Sequence, residues 1–263
     1  MINFLKYKYL YLMISVAVIA VGLSFVFRFG IPLSIDFVGG SKISYSVNSK
    51  VVNLRTEALS EEQEKEMRAN IDKESSGEAE ILLFETVGPS VGKEAVNKTV
   101  IAAILGVLAI LIYIGFAFKG FNFALSAIVA LIHDMFILVG VYAVLSYYFN
   151  AEIDTLFITA ALTTMSFSVH DTIVIFDKIR EYIREEGRVN IENSANKALT
   201  ETMVRSLNNS MTIVFMLLAL ILFGGSTIKF FIIALLIGTI TGTYSSPFVA
   251  TPVLVWLEKR KKK

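Results

Sequence analysis

The sequence predicts an α-helical integral membrane protein: six transmembrane helices, with a small α+β extracytoplasmic domain between spans one and two. Three observations predict it. The chain of 263 residues is 55% apolar, with a mean hydropathy of +0.65, which is too hydrophobic for a soluble domain of this size. Six apolar runs are each long enough to cross a bilayer as a helix. Between the first two runs the composition changes to charged segments and alternating apolar and polar residues, as in a half-buried strand.

In chain order, Tyr9 to Phe27 is an uncharged run of 19 residues behind Lys6 and Lys8. It is long for a signal-peptide apolar region and no A-x-A-like site follows, so a retained span is expected. In the external module, residues 43–47 read as a strand. Residues 53–73 read as a solvated helix with a thin apolar stripe at Leu54, Ala58, Leu59, Met67 and Ile71. Gly77 reads as a turn and residues 80–87 as a second strand. Spans two to six are then expected at 100–118, 121–146, 155–176, 203–223 and 230–257, with a two-residue break at Lys119-Gly120. The resulting domains are 1–28 (N-terminus and span one), 29–98 (external module) and 99–263. The last holds spans two to six, a charged, partly helical cytoplasmic loop at 177–202 and a basic tail.

Lys and Arg in the short loops set the orientation. Lys6, Lys8, Lys119, six basic residues between Lys178 and Arg205, and five from Lys259 to Lys263 all fall on one side. The two short loops of the other side hold only Lys229. The expected topology has both termini in the cytoplasm. Small residues recur every fourth position in span six (Gly238, Gly242, Ser246, Ala250) and in span four (Ala160, Thr164, Ser168, Thr172), which suits close helix packing.

The formal net charge is +1, so nothing implies a nucleic-acid partner. The absence of Cys excludes disulfides and thiolate metal sites, and the two His residues both lie on apolar spans, which argues against a metal centre. The informative residues are the ionisable ones inside spans, because a charge at that depth costs several kcal/mol unless paired or hydrated. Span four carries His170, Asp171 and Asp177. Asp171 precedes Asp177 by six residues, about 9 Å deeper along a helix, so Asp177 belongs at the interface and Asp171 within the bundle. Arg205, at the start of span five, is either a counter-ion for Asp171 or an interfacial anchor that snorkels to the surface. His133 and Asp134 lie near the middle of span three. Proton relay and packing or hydrogen bonding between helices are both open for them, and adjacent residues point about 100° apart, so both are not expected to face one partner.

Several segments together carry a family resemblance. IDFVGG at 35–40 follows span one, and VGPSVGKE at 87–94 precedes span two. HD at 133–134, HDTIVIFDKIRE at 170–181 and GTYSSPFVATP at 242–252 follow in order. In this order and spacing they resemble the SecD/SecF family of protein-export membrane proteins, within the resistance-nodulation-division (RND) superfamily. The resemblance covers most of the chain outside residues 45–85. It implies a half-size RND-type bundle that pairs with a SecD-type subunit and works beside the SecYEG channel. There the pair uses the proton motive force, with no nucleotide or other cofactor, to help draw unfolded polypeptides across the membrane. It is not expected to be an enzyme.

The family associates an Asp of span four and an Arg of span five with proton conduction. Its NDT and IFDRIRE pattern falls here on HDT and IFDKIRE, which places the Asp at Asp171 and the Arg at Arg205. His133, Asp134 and His170 complete the candidate proton-conducting set. His170 stands where the family usually has Asn, Ser166-Phe167 where it tends to have Gly-Tyr, and Thr200 where Asn often precedes the Arg. The external module is shorter than the family pattern. Asp36, Gly39, Gly40, Gly88 and Pro89 are read as structural, the glycines permitting a tight turn into the strand and Pro89 marking the entry to span two. Gly238 and Gly242 are read as packing residues. The competing readings are a proton-driven RND-type exporter of small molecules or lipids and a membrane scaffold. The IDFVGG and VGPSVGKE pair disfavours the exporter, and the intramembrane Asp171 disfavours the scaffold.

Overall fold

In a computed structural model, residues 3–47, 50–75, 79–118, 120–187 and 190–260 are described. The expectations at Gly77, Lys119, Arg188 and Lys261 to Lys263 lie outside these residues. The chain forms two compact units. One contains residues 1–31, 103–151 and 156–263, and the other residues 32–102 and 152–155.

The smaller unit is built on three antiparallel strands, β1 (Gly40–Val47), β2 (Lys50–Thr56) and β3 (Glu80–Val87), in the order β2-β1-β3. A four-residue helix, α2 (Ile35–Val38), leads into β1, and α3 (Glu61–Glu74) connects β2 to β3. The sheet therefore has one strand more than expected, and residues 53–56 belong to β2 rather than to a helix. The reason is local. Leu54 pairs with the fully buried Ile43, and a capping box between Ser60 and Gln63 starts α3 only at Glu61.

The two glycine motifs meet in this unit. Gly39 and Gly40 take positive φ, +76° and +119°. A Cβ on Gly39 would lie 3.0 Å from Pro89 Cα, and one on Gly92 would lie 3.0 Å from the Gly39 nitrogen, so side chains are excluded where the segments cross. Gly40 also pairs with Val87 across the sheet. Gly88 has open space around it. The loop ahead of span four joins the unit as well. Lys42 and Arg55 both pair with Glu152, at 3.0 and 3.6 Å, and Ser34 N donates to Ile153 O at 2.9 Å. Asp36 Oδ2 accepts from Thr155 Oγ1 at 3.1 Å and Thr155 N at 3.3 Å, placing a carboxylate on the first residue of the helix that follows.

The larger unit is a helical bundle. Its long helices are α1 (Lys8–Phe29), α4 (Pro89–Ala117), α5 (Phe121–Phe149), α6 (Thr155–Glu186) and α7 (Ile191–Phe223). A sixth span is made of α8 (Lys229–Ser245), a π-turn (Ser246–Ala250) and α9 (Thr251–Arg260). Six segments are long and apolar enough to cross a membrane. Pro89 sits at the first position of α4, where its missing N–H costs nothing. Pro247 explains the π-turn: it cannot donate to the residue four back, and the chain re-engages through a five-residue step from Thr251 N to Ser246 O.

Segment 177–202, expected to be a partly helical loop, is more helical than that. α6 runs on to Glu186 and α7 begins at Ile191, because Ile179, Ile183, Ala195, Ala198 and Leu199 continue the apolar spacing through the charges. Lys178 bridges Glu181 and Glu201, and Tyr182 donates to Glu201 at 2.7 Å, so the two helical extensions are stitched together.

The bundle centres on α5 and α6, each half buried through its apolar core, against 6% for α4 and 11% for the first span. Backbone contact fixes the neighbours. A Cβ on Gly22 of α1 would lie 2.5 Å from Gly140 Cα of α5. The small-residue faces of α8 and α6 meet each other in register. Gly238 abuts Thr164, Gly242 abuts Ser168, and Ser246 Oγ lies 2.9 Å from Thr172 Oγ1.

Candidate functional site

That register decides what surrounds Asp171. Ser168, Asp171, Thr172 and Ile175 share the buried face of α6, and the carboxyl of Asp171 is only 9% exposed. From α7, the buried face Thr202, Ser206, Ser210 turns toward the bundle, and Ser206 Oγ donates to Asp171 Oδ2 at 2.6 Å. One turn further on, Thr243 of α8 donates to Ser210 Oγ at 2.6 Å. A cavity of about 10 Å³ opens beside the carboxyl, lined by Asp171, Asn209, Ser210, Thr239 and Thr243 with Phe167 and Ile213. That is room for about one water molecule.

Of the two readings open for Arg205, an ion pair with Asp171 is not formed: Arg205 is exposed, and among the described residues no salt bridge reaches Asp171. The reason lies in the helix geometry: consecutive residues are about 100° apart, so the face of α7 that turns Ser206 inward turns Arg205 outward. His170 is likewise exposed, and Asp177 is exposed and paired with Arg180 at 3.0 Å.

His133 and Asp134 form a second buried group, at 8% and 6% exposure. Among the described residues the two side chains meet no common third partner; they face each other. His133 Nδ1 lies 2.9 Å from Asp134 Oδ1. Asp134 Oδ2 accepts from Ser168 Oγ at 2.5 Å and from Ser245 Oγ at 2.7 Å. His133 Nε2 is buried without a partner, and its ring stacks near Tyr244 at 6.3 Å. Ser206 escaped the sequence reading, and Ser168 entered it only as a packing residue. The signal for Ser206 was present, since RSLNNS puts five polar residues in six positions at the head of an apolar span.

Six spans with a small α+β unit in the first connection, and two buried carboxyls within the bundle, are the features of a half-size transporter-type membrane protein. The profile described as "Protein export membrane protein SecD/SecF, C-terminal" matches residues 65–260. The protein translocase subunit SecF of Thermobaculum terrenum is 48% identical over 202 residues, covering 75% of this chain and 63% of its own. SecF of Anaerolinea thermophila is 36% identical over 260 residues, covering 86% and 84%. The crystal structure of SecDF from Thermus thermophilus, a translocon-associated membrane protein, superimposes with a TM-score of 0.88 at 28% identity. It covers 98% of this chain and 39% of the SecDF chain. The chain belongs to the SecD/SecF family of protein-export membrane proteins.

Proposed function

We propose that this chain is the SecF-type subunit of a protein translocase accessory complex. Paired with a SecD-type subunit in the cytoplasmic membrane, with both termini in the cytoplasm, it uses the proton motive force to help draw unfolded polypeptides out of a SecYEG channel. The observation that carries the reading is the Asp171 carboxyl, buried at the centre of the bundle and held by a serine hydroxyl rather than by a cation. Such a group can take up and release a proton without breaking an ion pair, and its adjoining cavity is large enough for the water that would deliver one. Exposed Arg205 stands ready to meet an acidic or polar group of the partner, since an intramembrane cation facing lipid is costly. The same cavity is too small for a drug or lipid, which favours this reading over an exporter.

The test is export in proteoliposomes that hold the channel, the SecD-type subunit and either this chain or its Asp171→Asn variant. The variant keeps size and a hydrogen-bond acceptor but has no titratable group. Assembly should persist, the ATP-driven part of export should remain, and the gradient-dependent part should be lost. Asp177→Asn, altering an exposed carboxyl, should change little. Normal gradient-driven export by Asp171→Asn would refute the proposal.

A further inference from the structure

Asp134 is a buried acid that the proposed proton step leaves without a task. Its carboxylate gathers partners from three helices: Ser168 on α6, Ser245 at the end of α8, and His133 on its own α5. Ser168 stands one helical turn before Asp171. Its carbonyl oxygen accepts from Thr172 Oγ1 at 2.9 Å and from Ser246 Oγ at 3.4 Å, so the same turn of α6 is held twice. We infer that Asp134 is a positioning residue: it clamps α6 to α8 and α5 in the register that sets the Asp171 carboxyl against Ser206.

The geometry favours a clamp over a proton carrier. Both donors to Oδ2 are short-range hydroxyls fixed on buried, close-packed faces, and Gly242 lies against Ser168 with only 3.1 Å for a Cβ. Asp134 takes no part in lining the cavity at Asp171. His133 meets Asp134 through Nδ1 and leaves Nε2 unpartnered, an arrangement that costs free energy and is retained for the Nδ1 contact. The inference rests on the reading of Asp171 as the proton-responsive group for its consequence in export, but not for its geometry.

The test therefore has two readouts, both on the complex with the SecD-type subunit. The chain has no cysteine, so Asp171→Cys with Ser206→Cys supplies its only thiols, and disulfide cross-linking on mild oxidation reports whether the two positions still face each other. Gradient-dependent export is measured separately with Asp171 and Ser206 intact. The variants are Asp134→Ala, Asp134→Asn and the pair Ser168→Ala with Ser245→Ala. The serine pair removes the clamp without touching a titratable group. Asp134→Asn removes the titratable group but keeps an oxygen that accepts from both serines. A clamp requires cross-linking and export to fall by about fivefold or more in the serine pair and in Asp134→Ala, given two buried hydrogen bonds lost. Asp134→Asn should stay within about twofold of the unaltered chain in both readouts, with an unmoved pH profile of export. Cross-linking at the unaltered level in the serine pair would overturn the inference. So would Asp134→Asn that blocks export as fully as Asp134→Ala while cross-linking is kept, since that is the signature of a relay. If Asp171→Asn exports normally while the cross-linking pattern holds, the proton reading fails and the clamp stands.

Discussion

Substituting Gly238 by Ala adds one methyl group at the tightest helix contact of the bundle, and its cost follows from the geometry. The new Cβ would lie 2.2 Å from Thr164 Cγ2, 2.3 Å from Thr164 Cβ and 2.7 Å from its Oγ1. Carbon atoms pack best at about 3.5–4.0 Å, so the overlap exceeds 1 Å at two carbons together. Rotating Thr164 relieves only part of it, because Cβ does not move with χ1 and Oγ1 is bonded to the Ala161 carbonyl at 3.0 Å. Helix propensity pulls the other way, favouring Ala by about 1 kcal/mol. Overpacking of this degree costs about 3 kcal/mol or more, so strain wins and the net loss is about 2 kcal/mol. Denaturant titration of the purified chain in mild detergent measures it. Thr164→Gly placed on the Gly238→Ala background removes both offending carbons and should restore a substantial part of the loss, a coupling that a double-mutant cycle resolves. Gly115→Ala in α4, where a Cβ meets nothing within 4 Å, is the control and should be neutral or slightly stabilising. A Gly238→Ala variant as stable as the Gly115→Ala control would refute the packing argument.

Three further outcomes are expected. Asp36→Ala removes the acceptor of Thr155 N and Oγ1 at the head of α6 and should cost about 1 kcal/mol, as loss of a helix cap does, read in the same titration; Asp36→Asn should recover most of it. Because the chain lacks Cys, Glu62→Cys on exposed α3 should be labelled by an impermeant maleimide from outside intact cells, and Glu185→Cys on the α6 extension only after permeabilisation; the reverse pattern would invert the topology. Ala in place of Pro247 should let the sixth span pass from α8 to α9 with ordinary helical steps, moving Ser246 off Thr172, and a lower denaturation midpoint in detergent is the expected reading.

The membrane architecture was legible because burial in lipid leaves a coarse mark. Six apolar runs, and the glycines of IDFVGG beside Pro89, can be read without knowing any contact. Helix past Phe176 and before Met203 was legible only in part, because the charges of EYIREE and IENSANK hide its extent. Their apolar residues are few, and the ion pairs of Lys178 with Glu181 and Glu201 that join the helices are visible only in three dimensions. β2 was hidden for a related reason. Its pairing with β1 is local, between consecutive antiparallel strands from Val47 with Lys50 to Ser41 with Thr56, but the charged helix that follows dominates the window.

The site shows the sharper limit. Sequence reasoning located Asp171 correctly within the buried face of its helix, since depth follows from counting residues to the interface. It left Arg205 open between counter-ion and surface anchor and passed over Ser206, because a charge attracts attention and a hydroxyl does not. The helical phase of α7 decides between Arg205 and Ser206, and that phase was available: Thr202, Ser206 and Ser210 recur every fourth residue and are small, whereas Arg205 falls with Asn208 and Asn209. Small hydroxyl residues at fourfold spacing serve two purposes here. They let α6, α7 and α8 approach closely, and at that distance their hydroxyls reach the carboxyls of Asp134 and Asp171. A larger residue at Ser168 or Ser206 would push the helices apart and also take away a donor. The packing face and the polar site are therefore one set of residues, and a substitution that spares the acids can still disable the site by moving the helix that carries them.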